Sequence, residues 1–247
     1  MQVLGSLRRD YRAAVFGASG GIGAALCALL EGDPQCEVVY AGARQALGES
    51  AKRKPFTFDL LDEQSTEAAA LQLKQAAGEL DLVIIATGLL HEDNIQPEKS
   101  MRALSVDTLA HAYAINAIGP ALIVKHLAPL LRRETKSVIA ALSARVGSIG
   151  DNRLGGWHAY RASKAALNQL MRTCAIEIAA RNKRALCVTL HPGTVATKLS
   201  APFQRNVAPE KLFDPQFSAA RLIQVIDELT PGQSGQFFAW DGQPIAF

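Results

Sequence analysis

No stretch of this sequence comes near the ~18 consecutive apolar residues that a bilayer-spanning helix needs. The best run, residues 82–90, is short and broken by Thr87 and Gly88. Ahead of Arg8-Arg9-Asp10 stand only Val3-Leu4 and Leu7, too little for the hydrophobic region of a secretory signal, so a cytoplasmic location is expected. Cysteine is scarce: Cys27, Cys36, Cys174 and Cys187 form neither a CxxC pair nor a zinc spacing. Three of them fall in apolar helix or strand patterns, where buried thiols are expected, and no oxidising compartment is implied. The five histidines, at 91, 111, 126, 158 and 191, make no HExxH or other ligand grouping, which disfavours a zinc hydrolase, and no metal is expected. A GxSxG nucleophile elbow is missing too. Charge of one sign does not dominate: 26 Lys and Arg against 23 Asp and Glu leave +3, dispersed in short clusters, and nucleic-acid binding is not suggested. Linkers, tandem repeats and low-complexity tracts are also lacking.

What is there is an ordinary globular composition, 49% apolar and 20% charged over 247 residues, ample for a sizeable core. Apolar runs at 11–16, 36–41, 55–58, 82–86, 137–142, 185–190 and 236–239 read as strands. Helical patterns fall between them at 24–30, 63–77, 104–131, 158–180 and 218–229, with Pro120 expected to bend the third. Continuous apolar strands alternating with helices, joined by long crossovers, predict an α/β doubly wound fold. It would have one seven-stranded, mostly parallel sheet flanked by helices on both faces, with residues 1–247 as a single domain. Residues 191–215 are long for a loop in a compact domain and are expected to form a substrate lid.

Gly17-Ala18-Ser19-Gly20-Gly21-Ile22-Gly23 lies between the first strand and the first helix, the context of a phosphate-binding turn. Without Cβ atoms the backbone can turn sharply and admit a pyrophosphate to the helix N-terminus, although glycines also make ordinary tight turns. Tyr160 and Lys164 stand at i and i+4, on one helix face. A tyrosine normally titrates near ~10 and a neighbouring ammonium favours its anion, so Lys164 is expected to lower Tyr160. A partly buried aromatic beside a snorkelling lysine would share that spacing. Ser143 closes the fifth strand, at the edge where open α/β sheets hold ligands; its hydroxyl is placed to bond a substrate carbonyl or to cap a turn.

Taken in order, these motifs resemble the short-chain dehydrogenase/reductase family, and the likeness extends from Gly17 to Gly242. The GxxxGxG spacing of Gly17, Gly21 and Gly23 differs from the GxGxxG fingerprint of other dinucleotide folds. The segment from Tyr160 to Ala166 resembles the family's active-site segment, and Asn116-Ala117-Ile118-Gly119-Pro120 its fourth catalytic position. The resemblance implies a Rossmann-type fold and hydride transfer between a nicotinamide and a carbonyl or alcohol carbon. In that chemistry Tyr160 exchanges the proton on oxygen, Ser143 orients and polarises the oxygen, Lys164 binds the nicotinamide ribose, and Asn116 helps hold a water linking the lysine to solvent. It further implies cofactor contacts from Gly17, Ser19, Gly21, Ile22 and Gly23 in the turn, from Asp59 and Leu60 at the adenine, and from Ala86, Thr87 and Gly88. Tyr160 and Lys164 would touch the cofactor as well, as would Pro192, Gly193, Val195 and Thr197 on the nicotinamide side. The second strand ends Tyr40-Ala41-Gly42-Ala43-Arg44, with no acid before Glu49. A carboxylate there would suit the NAD ribose, whereas Arg44 suits a 2′-phosphate, so NADP(H) is expected in preference to NAD(H). Gly20 stands where the family often carries a further basic residue.

The sequence also departs from the pattern. The family's Asn-Asn-Ala-Gly is here Ile85-Ala86-Thr87-Gly88, and Ser143 and Tyr160 stand 17 residues apart, a few beyond the common interval. Residues 151–158 fill the excess and are expected to shape the pocket mouth; with 143–147 they resemble the C-factor-like and sniffer-like carbonyl reductase branch. Trp157, Phe203 and Trp240 are candidates for an apolar pocket wall or for ordinary packing. The implied partner is a small-molecule carbonyl or alcohol, and the family likeness implies a homodimer or homotetramer. A second reading stays open: a dinucleotide-binding signalling or regulatory protein of C-factor type with little turnover.

Overall fold

The computed structural model describes residues 3–92 and 95–247. In chain order the elements are β1 (Tyr11–Phe16), α1 (Gly21–Glu31), β2 (Cys36–Ala43), β3 (Arg53–Thr57), α2 (Glu63–Ala77), β4 (Leu82–Ile85), α3 (Val106–Tyr113) and α4 (Gly119–Leu127). They continue with β5 (Ser137–Leu142), α5 (His158–Arg181), β6 (Ala185–His191), β7 (Thr194–Val195), β8 (Leu212–Phe213), α6 (Pro215–Glu228) and β9 (Phe237–Ala239). Seven strands make one sheet in the order β3-β2-β1-β4-β5-β6-β9, and each of its pairings is parallel.

The strands are apolar throughout because both faces of the sheet are covered. Successive side chains alternate between the faces. In β1, Tyr11, Ala13 and Val15 join a core closed by α1 and α6, while Ala14 and Phe16 join a second core under α2, α4 and α5. In β5 the same division sends Val138, Ala140 and Leu142 one way and Ile139 and Ala141 the other. This is the expected doubly wound architecture. Cys27, Cys36 and Cys187 are buried thiols within it, and Cys174 is half-buried.

The larger shifts from the expected boundaries of single elements lie at the starts of two helices. Helix α1 opens at Gly21, within the glycine turn itself, and α6 opens at Pro215 because the Asp214 side chain accepts from Phe217 N at 2.7 Å and proline needs no donor in a first turn. The long helix expected over 104–131 is broken. Between α3 and α4, residues Ala114–Ile118 form a π-turn, and Ala128–Leu130 end the run as a 3-10 turn. Pro120 sits in the first turn of α4, directly after the π-turn, where its missing N–H interrupts no hydrogen bond within α4. The 191–215 segment is not bare loop either, since β7 and β8 pair within it.

Polar groups are sorted between the two edges of the sheet. At the amino edge the fully buried Asp81 accepts from Arg12 N at 2.9 Å and from Arg132 Nε at 2.8 Å, and its carbonyl accepts from Val138 N at 2.9 Å. These bonds join β1, β4 and β5 far from the carboxyl edge. Replacing Asp81 by alanine leaves the Arg12 amide without its acceptor and the Arg132 guanidinium with Glu79 as its one remaining carboxylate, so Asp81→Ala is expected to cost about 2–3 kcal/mol in urea unfolding at an unchanged m value. A loss under about 0.5 kcal/mol would refute this role.

Candidate active site

The glycine turn is drawn against the carboxyl ends of both strands that flank β1. Gly17 N and Ala18 N each donate to Gly42 O of β2 at 2.9 Å. On the other side a Cβ on Gly17, whose φ is +87°, would stand 2.9 Å from the Ala86 carbonyl carbon, and a Cβ on Gly23 would stand 2.2 Å from Gly17 O. Only glycine fits either place. The sheet order reverses here, since β2 and β3 lie on one side of β1 and β4 on the other, and ligands of open α/β sheets bind at such a switch point. Ser19, Gly20 and Gly21 are exposed at the crown of the turn. Helix α1 has no side-chain cap and no acidic residue in its first turn, so its positive end faces the crevice uncompensated. Gly21 closely approaches the Thr197 side chain, which brings the segment after β6 against the turn.

The Tyr160 and Lys164 side chains lie one turn apart on α5. Lys164 is buried, its Nζ donates to Leu142 O at 2.8 Å, and it stands 5.9 Å from the centre of the Tyr160 ring. The 3-10 turn after β5 lies directly on this part of α5: a Cβ on Gly147 would meet Lys164 Cβ at 2.7 Å. Ser143, next to Leu142, donates its N–H to Leu190 O at 2.8 Å, while its buried hydroxyl has no protein partner. Thr87 Oγ1 is likewise buried without a partner, and such groups are rare enough to mark places where a bound molecule completes the bonding.

Asn116 lies in the π-turn, fully buried. Its Oδ1 accepts from Leu89 N at 2.8 Å, and its Nδ2 donates to Leu89 O at 2.8 Å and to Ser163 Oγ at 3.0 Å. Both amide hydrogens are therefore used, and the remaining acceptor capacity is on Oδ1. That atom and Lys164 Nζ lie equally close to Gly88, each 3.6 Å from where its Cβ would be. π-turns of this kind are frequent at functional sites.

The electrostatics depart from expectation. Burial pushes Lys164 down to about 8 and raises Tyr160 above its ordinary value. The phenol thus keeps its proton at neutral pH, with burial as the cause of the shift.

A cavity of about 600 Å³ opens beside these groups, lined by Ser143, Tyr160 and Ile22, by Pro192, Gly193, Val195 and Thr197, and by Trp157 and Phe203. The Trp157 and Phe203 rings pack with their centres 5.0 Å apart, tilted by 60°. Trp240 is not among the lining residues; it packs on Phe213 at 4.6 Å and under Arg221. His191 also lines the cavity. It carries a buried Nδ1 with no partner, and burial, reinforced by Arg145, pushes it down to about 4, so its ring is neutral. Sequence reasoning passed over His191 because it looked only for metal groupings; its place at the end of β6 beside Pro192-Gly193 was the available signal. The remaining predicted residues do not line this cavity. Arg44 is exposed just beyond β2, the exposed Asp59 accepts from Leu61 N at 2.9 Å, and Leu60 packs against Gly119.

Comparison with known proteins gives a consistent result. The family model described as short chain dehydrogenase matches residues 12–208. The 1-hydroxy-2-glutathionyl-2-methyl-3-butene dehydrogenase of Rhodococcus sp. (strain AD45) is 34% identical over 184 residues, 74% of this chain and 76% of its own. C-signal of Myxococcus xanthus is 35% identical over 137 residues, 56% of this chain and 77% of its own. Among solved structures, NADPH-bound carbonyl reductase from chicken fatty liver superposes with a TM-score of 0.84 at 24% identity, covering 98% of this chain and 96% of that one. Carbonyl reductase Sniffer of D. melanogaster gives 0.83 at 23% identity, covering 97% and 100%.

The depressed value of Lys164 has a consequence for stability. An unfolded lysine titrates near ~10.4, so the cost of burying the charge is full below about 8 and is relieved as pH rises toward the unfolded value. Lys164→Met is expected to leave the urea midpoint at pH 7 unchanged or raised, with any gain shrinking by about pH 9.5. A clear drop at pH 7 would show instead that the bond to Leu142 outweighs desolvation.

Proposed function

The chain belongs to the short-chain dehydrogenase family, and on that premise we propose that it is an NADPH-dependent carbonyl reductase of the C-factor-like and sniffer-like branch. The observation that carries this reading is the convergence of an unpartnered Ser143 hydroxyl and the Tyr160 phenol on one cavity, with the Lys164 ammonium beside the phenol ring.

The residues present fit a dinucleotide. The glycine cradle would be filled by any Cβ at Gly17 or Gly23, the N-terminus of α1 is open, and the buried Thr87 hydroxyl lacks a partner. In this reading Gly17, Ser19, Gly21, Ile22 and Gly23 hold the pyrophosphate, and Arg44 the 2′-phosphate. Asp59 and Leu60 flank the adenine, Ala86, Thr87 and Gly88 the adjoining ribose region, and Pro192, Gly193, Val195 and Thr197 the nicotinamide side. When bound, the dinucleotide supplies the hydride that reduces the carbonyl carbon.

The chain's own residues supply the rest. Ser143 donates a hydrogen bond to the carbonyl oxygen, drawing electron density from the carbon. Tyr160 gives that oxygen its proton. A phenol that retains its proton at neutral pH is in the form the acid role requires. Lys164 orients the ribose and faces the phenol, and the free acceptor capacity of Asn116 Oδ1 leads from the ammonium toward solvent. Residues 191–215 act as a lid, with Phe203 packed against Trp157 in the cavity wall. A single domain, a homodimer or homotetramer and a cytoplasmic location go with this reading.

The likeness to C-signal favours a second reading, cofactor-sensing with little turnover. A panel of carbonyl compounds with NADPH and NADH in parallel separates the two: NADPH consumption is expected, and binding without turnover would favour the sensor. Tyr160→Phe is expected to lose ~10²–10⁴ in turnover while NADPH binding, followed by fluorescence, is kept. Undiminished turnover would remove the phenol from the mechanism. Arg44→Asp is expected to lower the NADPH-over-NADH preference by roughly 10–100-fold, the size of a lost charged hydrogen bond. An unchanged preference would take Arg44 out of the cofactor site.

A further inference from the structure

Helix α5 starts in an unusual way. Gly155, Gly156 and Trp157 all have positive φ, at +62°, +65° and +53°. Glycine adopts such angles freely, but a tryptophan does not, and a strained residue persists only where its surroundings over-determine it. Trp157 is the N-cap of α5, and its indole offers no acceptor to the first-turn N–H groups. Both needs are met by one residue from a distant loop. Glu98 is buried; its carbonyl accepts from Trp157 N at 2.6 Å and its Oε2 accepts from Ala159 N at 3.1 Å. The carboxylate thus sits at the positive end of a 24-residue helix, where its charge is favoured. Ala159 precedes Tyr160, and Glu98, Ala159 and Tyr160 line one small void together.

We propose that Glu98 is a positioning residue for Tyr160: it caps α5 in place of the missing N-cap side chain and pins Trp157 in the left-handed conformation that holds its indole at the cavity wall. The inference rests on the reductase reading for its consequence and on the backbone geometry for its cause. Glu98 touches neither substrate nor cofactor. Without its carboxylate the first turn of α5 loses the acceptor of Ala159 N, and the Glu98 backbone, no longer anchored through its side chain, holds its carbonyl less firmly against Trp157 N; both changes move the phenol and the wall against which the substrate is held, and displacements of about 1 Å at a reacting group cost up to ~10² in rate.

The test uses Glu98→Ala and Glu98→Gln in a Trp240→Phe background, which leaves Trp157 as the only tryptophan. Glu98→Ala is expected to lower the turnover number for carbonyl reduction at least ~10-fold, with NADPH affinity within ~3-fold of the parent, and to shift the Trp157 emission. Glu98→Gln is expected to restore both, because its amide oxygen can accept from Ala159 and its NH₂ falls where Oε1 has no partner to lose. Parental turnover and emission in the alanine variant, or equal losses in both variants, would overturn the proposal. Glu98→Asp covers the case in which the alanine variant does not fold: it keeps the charge but not the reach, and the same loss is expected. Should the parent itself show no turnover, the reductase reading fails, and the emission alone still decides whether Glu98 sets the helix start. A final pair isolates the backbone: Trp157→Gly should melt at a higher temperature than Trp157→Ala, and the reverse order would refute the pinning.

Discussion

The hydrogen bond from the Lys164 ammonium to the Leu142 carbonyl ties the two halves of the candidate site together. It joins the second turn of the 24-residue α5 to the last residue of a central strand, with Ser143 next in the chain and Tyr160 one turn back. A buried ammonium cannot be left without an acceptor, so this single requirement fixes the rotation of α5 about its axis and its height above the sheet. The glycine at 147 is a corollary, because the turn after β5 has to pass where a side chain would collide with the lysine. Desolvation of the same group costs stability at neutral pH, and a fold retains such a group only where it serves something other than stability.

The two edges of the sheet divide the labour. At the amino edge, Asp81 is saturated with partners and cements three strands. At the carboxyl edge the buried hydroxyls of Ser143 and Thr87 and the ring nitrogen of His191 are left unsatisfied. Native interiors tolerate few unpaired polar atoms, and these three share the carboxyl edge of the sheet, where open α/β sheets hold ligands.

Much of this was legible in the sequence. Strands buried on both faces leave unmistakable apolar runs, and the glycine turn and the Tyr160–Lys164 spacing carry their geometry locally. What escaped is what depends on distant partners. The π-turn at Ala114–Ile118 looks like uninterrupted helix, because its apolar pattern continues and only the tertiary bonds of Asn116 reveal the break. Trp157 at a helix start gives no capping signal, since the cap arrives from Glu98 through a contact between residues 61 positions apart. The direction of the Tyr160 shift was missed because neighbour logic considers the adjacent charge and ignores burial. Trp240 shares its aromatic character with Trp157 but belongs to a different cluster, a distinction that composition does not encode.

The π-turn is equivalent to one residue inserted into an otherwise regular helix. Removing any single residue there would let the hydrogen-bond ladder heal into plain α-helix, a locally favourable change. It would also turn everything on one side of the splice by about 100° relative to the other. Asn116 and the apolar stripe of α4 cannot then both face inward: either the amide withdraws from Leu89 and Ser163, or α4 lifts its buried face off the sheet. The irregularity is therefore a phase-setting wedge between Asn116 and the buried face of α4.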